Sequence, residues 1–185
     1  MSDTTQETTR TFGWSDMFVA PDEDPREDGG WEGEHATLAG SLRDRRLTFQ
    51  LKCAGLDAEQ MARRPIPPSN LSLLGLLRHL ADVERAWFRR ILAAEDAPAR
   101  YPGEEAFEAT DSDDASVAEA WDDWRAQVEN SERFVDAATD MGVMSKSEQT
   151  RVALREVMVH MIEEYARHNG HADLLRERID GRVGQ

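Results

Sequence analysis

Apolar residues recur at helical intervals in four stretches of this chain, and polar segments rich in Gly and Pro separate them. Leu38, Leu42, Leu47 and Leu51 predict a first helix over about residues 35–54. The linker AGLDAEQMARRPIPPSN ends it, because Gly55 suits a helix C-terminus and Pro65, Pro67 and Pro68 enforce extended chain. Ser69 or Ser72 then caps a second helix to about residue 94, with Leu73, Leu76, Leu77, Leu80, Val83, Trp87 and Ile91 on its apolar face. Ser116 and Glu119 form an S-x-x-E capping box that opens a third helix to about residue 138, packed through Trp121, Trp124, Val128 and Phe134. After a turn in DMGVMSKSEQ, Thr150 caps a fourth helix to about residue 178, and Gly181 lies just past its end.

The fourth helix has the clearest period. Leu154, Met158, Met161, Tyr165, His168, Ala172, Leu175 and Ile179 alternate steps of four and three, the seam of a helix packed in a bundle. Four such helices predict an all-α four-helix bundle over residues 35–181, a fold that builds its core sites from side chains on facing helices. Residues 1–34 read as an extended, acidic lead-in, with Phe12, Trp14, Phe18 and Trp31 available to pin it to the body or to a second subunit. Residues 95–115 form a long acidic loop with Pro98 and Pro102, a length at which loops often serve as lids.

Composition supports the helical reading, since Ala, Leu, Glu and Arg are abundant while Ile, Tyr and Thr are too few for a large sheet. A formal net charge of −15 argues against nucleic-acid binding, which needs a basic footprint. The single cysteine, Cys53, has no intramolecular disulfide partner; it reads as a packed thiol at a helix end and fits a reducing cytosol. The N-terminus lacks the basic-then-apolar pattern of a signal peptide, and no apolar run reaches membrane-spanning length. A cytoplasmic location is therefore expected, and the exposed aromatics make a homodimer an expectation too.

Two polar residues sit awkwardly on the fourth helix. Glu164 and His168 lie on or beside the core-facing stripe, where an unpaired charge costs several kcal/mol. At about 100° per residue, His160, Glu164, His168 and His171 project within a quarter-turn of one another. Residues four apart share a face, so Glu164 and His168 can bind one cation from the same side. His79 borders the apolar face of the second helix and supplies a third donor. Two imidazoles and one carboxylate leave positions open for water or substrate, as in catalytic zinc and non-haem iron(II) sites.

Each residue has an ordinary alternative. His79 alone fits a hydrogen-bonded histidine at the core edge, and Glu164 with His168 fits a surface charge pair. His160 sits one turn early, so it reads either as a further site residue or as a solvated side chain. His171 reads as a donor orienting a ligand, Tyr165 as core, and Arg85, Arg89 and Arg90 as the solvated helix edge, with Glu84 in local pairs there. The chain holds no glycine-rich phosphate loop, no G-x-S-x-G elbow and no C-x-x-C.

The strings LSLLGLLRHLADVERAWFRR (71–90) and VHMIEEYARHNGHADLLRERIDG (159–181) resemble the DinB-like superfamily of metal-binding four-helix bundles, in particular its actinobacterial branch. The resemblance covers about residues 36–181 and does not reach the lead-in. Many members place a metal-binding histidine on the second helix and H-x-x-x-H on the fourth; here these positions are His79, Glu164 and His168, so a carboxylate replaces one histidine. A His/Glu/His set is similar to that of mycothiol-dependent maleylpyruvate isomerase. The resemblance implies a divalent metal (zinc first, nickel or iron next) and mycothiol as a small-molecule thiol co-substrate for transfer to an electrophile. Two other readings stay open: a metal-stabilised, stress-associated bundle without catalysis, and a metal-dependent hydrolase or isomerase.

Overall fold

A computed structural model describes residues 18–27, 29–107 and 113–183. Its elements are α1 (Gly33–Cys53), a short α2 (Ala58–Ala62), α3 (Leu73–Glu84) running on as a π-helix (Arg85–Leu92), α4 (Asp114–Asp136) and α5 (Leu154–Asp180). A 3₁₀ turn spans Gly103–Ala106. The fold is all-α, and the only strand-like pairing among the described residues is an isolated bridge between Met144 and Ala153. Helix α1 packs chiefly on α5 and α3 on α4, while α3 also meets α5. No described helix is long and apolar enough to cross a membrane.

The helix ends show where local chemistry overrode simple spacing. Ser72 caps α3, its Oγ accepting from the Gly75 amide at 3.0 Å. The expected box at Ser116 is corrected: Asp113 is the cap, and its carboxylate accepts from the Ser116 amide at 2.7 Å. Thr150 is not the cap of α5 either. Residues 143–145 pair with 152–154, which keeps the chain extended until Leu154. The Glu156 carboxylate then takes the Ala153 amide at 2.8 Å. Gly181 closes α5 in the left-handed conformation at φ 82°, where a Cβ would be strained. Helix α2 lies inside the supposed linker; Asp57 and Gln60 box its start, and it buries Met61.

The seam of α5 is buried from Leu154 through Leu175, with Ile179 packed at its edge. On α3 the buried stripe ends differently. Leu80, Glu84, Phe88 and Leu92 are buried, while Val83, Trp87 and Ile91 are only partly covered. Beyond Glu84 the π-helical turns contribute to the pattern, because i→i+5 bonding advances less angle per residue and favours the step of four from Phe88 to Leu92.

Glu84 is thus a corrected expectation: it is not in local surface pairs but 1% exposed in the core. Its carboxylate receives Arg46 Nε at 2.8 Å and Nη2 at 2.9 Å, and the Tyr165 hydroxyl at 2.9 Å. Trp124 Nε1 donates to Tyr165 at 2.9 Å, and Arg46 Nη2 to Ser131 Oγ at 2.8 Å. All four long helices therefore contribute to one buried network, in which each ion and each polar aromatic tip has a partner.

The described part of the lead-in runs against α1. Arg26 Nη1 donates to Thr48 at 3.1 Å, and the Glu27 amide to Asp44 at 3.2 Å. Phe18 lies under the cations of Lys52 and Arg176, at 5.0 and 5.5 Å from the ring centre. The ring of Trp31 fills the space above Gly40, where a Cβ would stand 2.2 Å from it. Phe18 and Trp31 thus pin this segment to the body, whereas Phe12 and Trp14 fall outside the described residues. With this cover, α1 buries Thr48, Phe49, Lys52 and Cys53, while Leu47 and Leu51 are half-buried.

Candidate metal centre

Helices α3 and α5 bring His79, Glu164 and His168 together, with one donor atom from each all within 4.8 Å of one another. Glu164 Oε1 is the hub, 3.1 Å from His79 Nε2 and 3.4 Å from His168 Nε2. The two imidazole rings stand edge to face, 4.7 Å between centres. Their side chains keep partial exposure, 25% for His79, 14% for Glu164 and 10% for His168. The cluster therefore keeps some contact with solvent.

Burial and then the neighbouring His79 push the His168 imidazole down to about 4, so it is neutral near pH 7. Glu164 is also held below the usual carboxylate range. Burial works against that, and the hydrogen bond from His79 and the nearby His168, His79 and Arg167 outweigh it. The groups thus favour a neutral imidazole beside a carboxylate, the protonation that metal ligands require. Around a cation with bonds of about 2.0–2.2 Å, donor–donor edges run roughly 3–4 Å. The two His–Glu separations fall in that range and all three donors lie within 4.8 Å, a set that could hold a divalent ion.

The remaining candidates sort clearly. His171 touches the site from outside, its Nδ1 3.3 Å from His168 Nδ1. It therefore meets the ring nitrogen turned away from Glu164. His160 does not join the cluster; its ring packs against Trp87 at 4.6 Å between centres, tilted by 54°. It also lines a groove of about 510 Å³ with Leu38 and Val159 that does not include the three donors. Tyr165 is core, as expected, and burial followed by the Glu84 charge holds its hydroxyl protonated well past the usual range. Cys53 is buried as expected, and burial pushes its thiol up to about 12, so it is no nucleophile near neutral pH.

One feature near the site carries no helical period that would flag it. Phe107, from the acidic loop, lies with its ring 5.1 Å from that of His79. Glu84 did leave a trace: it falls four residues after Leu80 and seven after Leu77, on the buried stripe.

Fold and site together define an all-α helical bundle carrying a His–Glu–His cluster between two of its helices. The chain belongs to the mycothiol-S-transferase family, whose model matches residues 37–181. This is a DinB-like family associated with mycothiol, so the resemblance carried by the α3 and α5 strings holds. No curated protein matches the chain.

Proposed function

We propose that this protein is a divalent-metal-dependent transferase that joins mycothiol to an electrophilic small molecule, with His79, Glu164 and His168 as the metal ligands. The observation that carries the reading is the convergence of those three partly exposed donors from two helices. Family membership supports mycothiol as the thiol. Zinc suits two imidazoles and a carboxylate best, with nickel and iron(II) next.

A divalent ion bound there supplies the positive charge that makes a coordinated thiol ionise near neutral pH. The protein's own part is preorganisation. Glu164 holds both histidines by its Oε1, and His171 meets the outer nitrogen of His168 and restricts that ring. Three protein ligands rather than four leave room for a co-substrate, which separates a catalytic arrangement from a closed structural one. Positioning an electrophile beside the thiol then removes much of the entropic barrier to their reaction.

The test is elemental analysis of the purified protein beside H79A, E164Q and H168A, followed by mycothiol consumption with a panel of electrophiles. Stoichiometric metal in the wild type and its loss in each variant are expected, with consumption lost alongside. A wild type that holds no ion, or variants that keep it, would sink the assignment. Chelation should abolish turnover while helicity persists; unfolding without any detectable turnover would instead make the ion structural.

A further inference from the structure

Metal-ligating histidines ordinarily have their second ring nitrogen tied to a carboxylate, a carbonyl or water, which fixes the plane of the ring. His168 meets His171 in this way. At His79 the Nε2 faces Glu164, and no described protein group hydrogen-bonds the other nitrogen. What borders its ring is aromatic: His168 edge to face at 4.7 Å, and Phe107 at 5.1 Å with an interplanar angle of 35°.

The loop that carries Phe107 is fastened to the same face of α3. Asp82, three residues after His79, accepts the backbone amides of Arg100 at 2.8 Å and Tyr101 at 2.7 Å. The ring of Tyr101 lies 5.2 Å from the Arg78 guanidinium, and Ala106 is buried. Arg64, from beyond α2, donates to the Phe107 carbonyl at 2.7 Å. Closest of all is Gly75, one turn before His79. A Cβ there would stand 3.1 Å from both the Ala106 carbonyl oxygen and Phe107 Cα, so the absent side chain lets the loop reach the helix.

We propose that Phe107 is the positioning residue for His79: the loop, seated on Gly75 and Asp82 and held by Arg64, stacks the ring on the imidazole. The stack sets the imidazole plane in place of an outer hydrogen bond and shields that ligand from solvent. This inference rests on His79 being a metal ligand, as proposed above.

Two measurements test it. In the metal-free protein, NMR of the His79 ring protons reads the stack directly. The Phe107 ring current should displace them in the wild type, and F107A should remove that displacement. In zinc-loaded protein, extraction by a chelator should run about tenfold faster in F107A, the lower end of what losing an orienting partner costs. F107Y, which keeps the ring, should restore the slow rate. G75A should accelerate extraction without altering Phe107 itself, because its methyl group lifts the loop. The visible spectrum of the cobalt-substituted protein should shift in F107A and G75A and not in F107Y. A wild type that takes up no zinc overturns the metal reading and the retention role with it. A wild type that binds zinc, with F107A and G75A unchanged in extraction rate and spectrum, overturns this inference and leaves the metal reading standing. Unchanged His79 ring shifts in F107A overturn the stack itself.

Discussion

The Tyr165 hydroxyl donates to Glu84 Oε1 at 2.9 Å, one residue along α5 from the proposed ligand Glu164. This bond ties α5 to α3 in the protein interior, and the same carboxylate holds Arg46 of α1. The buried network and the candidate metal centre therefore share one helix at adjacent positions. Rotation of α5 would strand a polar tip in the core, so the network holds Glu164 in its azimuth.

Removing one member of a buried ion pair leaves the other unpaired, which costs about 3–5 kcal/mol. E84A should lose stability on that scale in urea denaturation. Y165F deletes a donor and should cost less, about 1–3 kcal/mol, since the carboxylate keeps its two Arg46 bonds. An E84A protein as stable as the wild type would contradict the network.

His171 and His160 should part company. H171A removes the neighbour of the outer nitrogen of His168, so zinc affinity should fall about 10–100-fold while stoichiometry survives. H160A should leave affinity unchanged, because its ring packs on Trp87 outside the cluster. Competition with a chelating dye measures both, and equal effects would refute the distinction.

Cys53 should be silent to thiol reagents at pH 8 in the folded protein and react only as fast as the protein opens. The sign follows from its thiol, which burial raises from 9.0 to about 12. Between those values the unfolded chain has lost the proton and the folded one keeps it, so this group's contribution to stability is full below about pH 9 and declines above it. C53A should remove that decline from a stability profile over the same range. Rapid labelling at pH 8 under native conditions would contradict burial.

G40A should release the lead-in. A methyl group at that position meets the Trp31 indole, and both cannot occupy the space. Overpacking of this kind typically costs about 1–3 kcal/mol. Faster proteolysis within residues 18–32 and a red shift in tryptophan emission are expected; an unchanged cleavage pattern would show that the ring is not needed there.

How much of this was legible beforehand depended on whether a residue's partners share its helix. The α5 seam could be read because period alone places Tyr165 and His168 beside Met161 and Ala172. Glu164 and His168, four apart, could be paired for the same reason, and His79 joined them because it borders an apolar face. Arg46 and Glu84 look like ordinary surface charges in sequence, since each becomes an interior residue only when the other arrives from 38 positions away. The cap at Asp113 displaced Ser116 through local hydrogen bonding, while Thr150 lost its place to pairing between two flanking segments.

The sequence by itself determined the helical class, the four long helices and the face of α5 from which two donors project. Those are consequences of local propensity and period, which act over a few residues. Tertiary structure alone decided which partners Glu84 meets in the core, that His171 touches His168 while His160 stays apart, and that Phe107 lies beside His79. Each of those depends on which helix or loop arrives opposite, and contact energy across such distances has no local period to betray it.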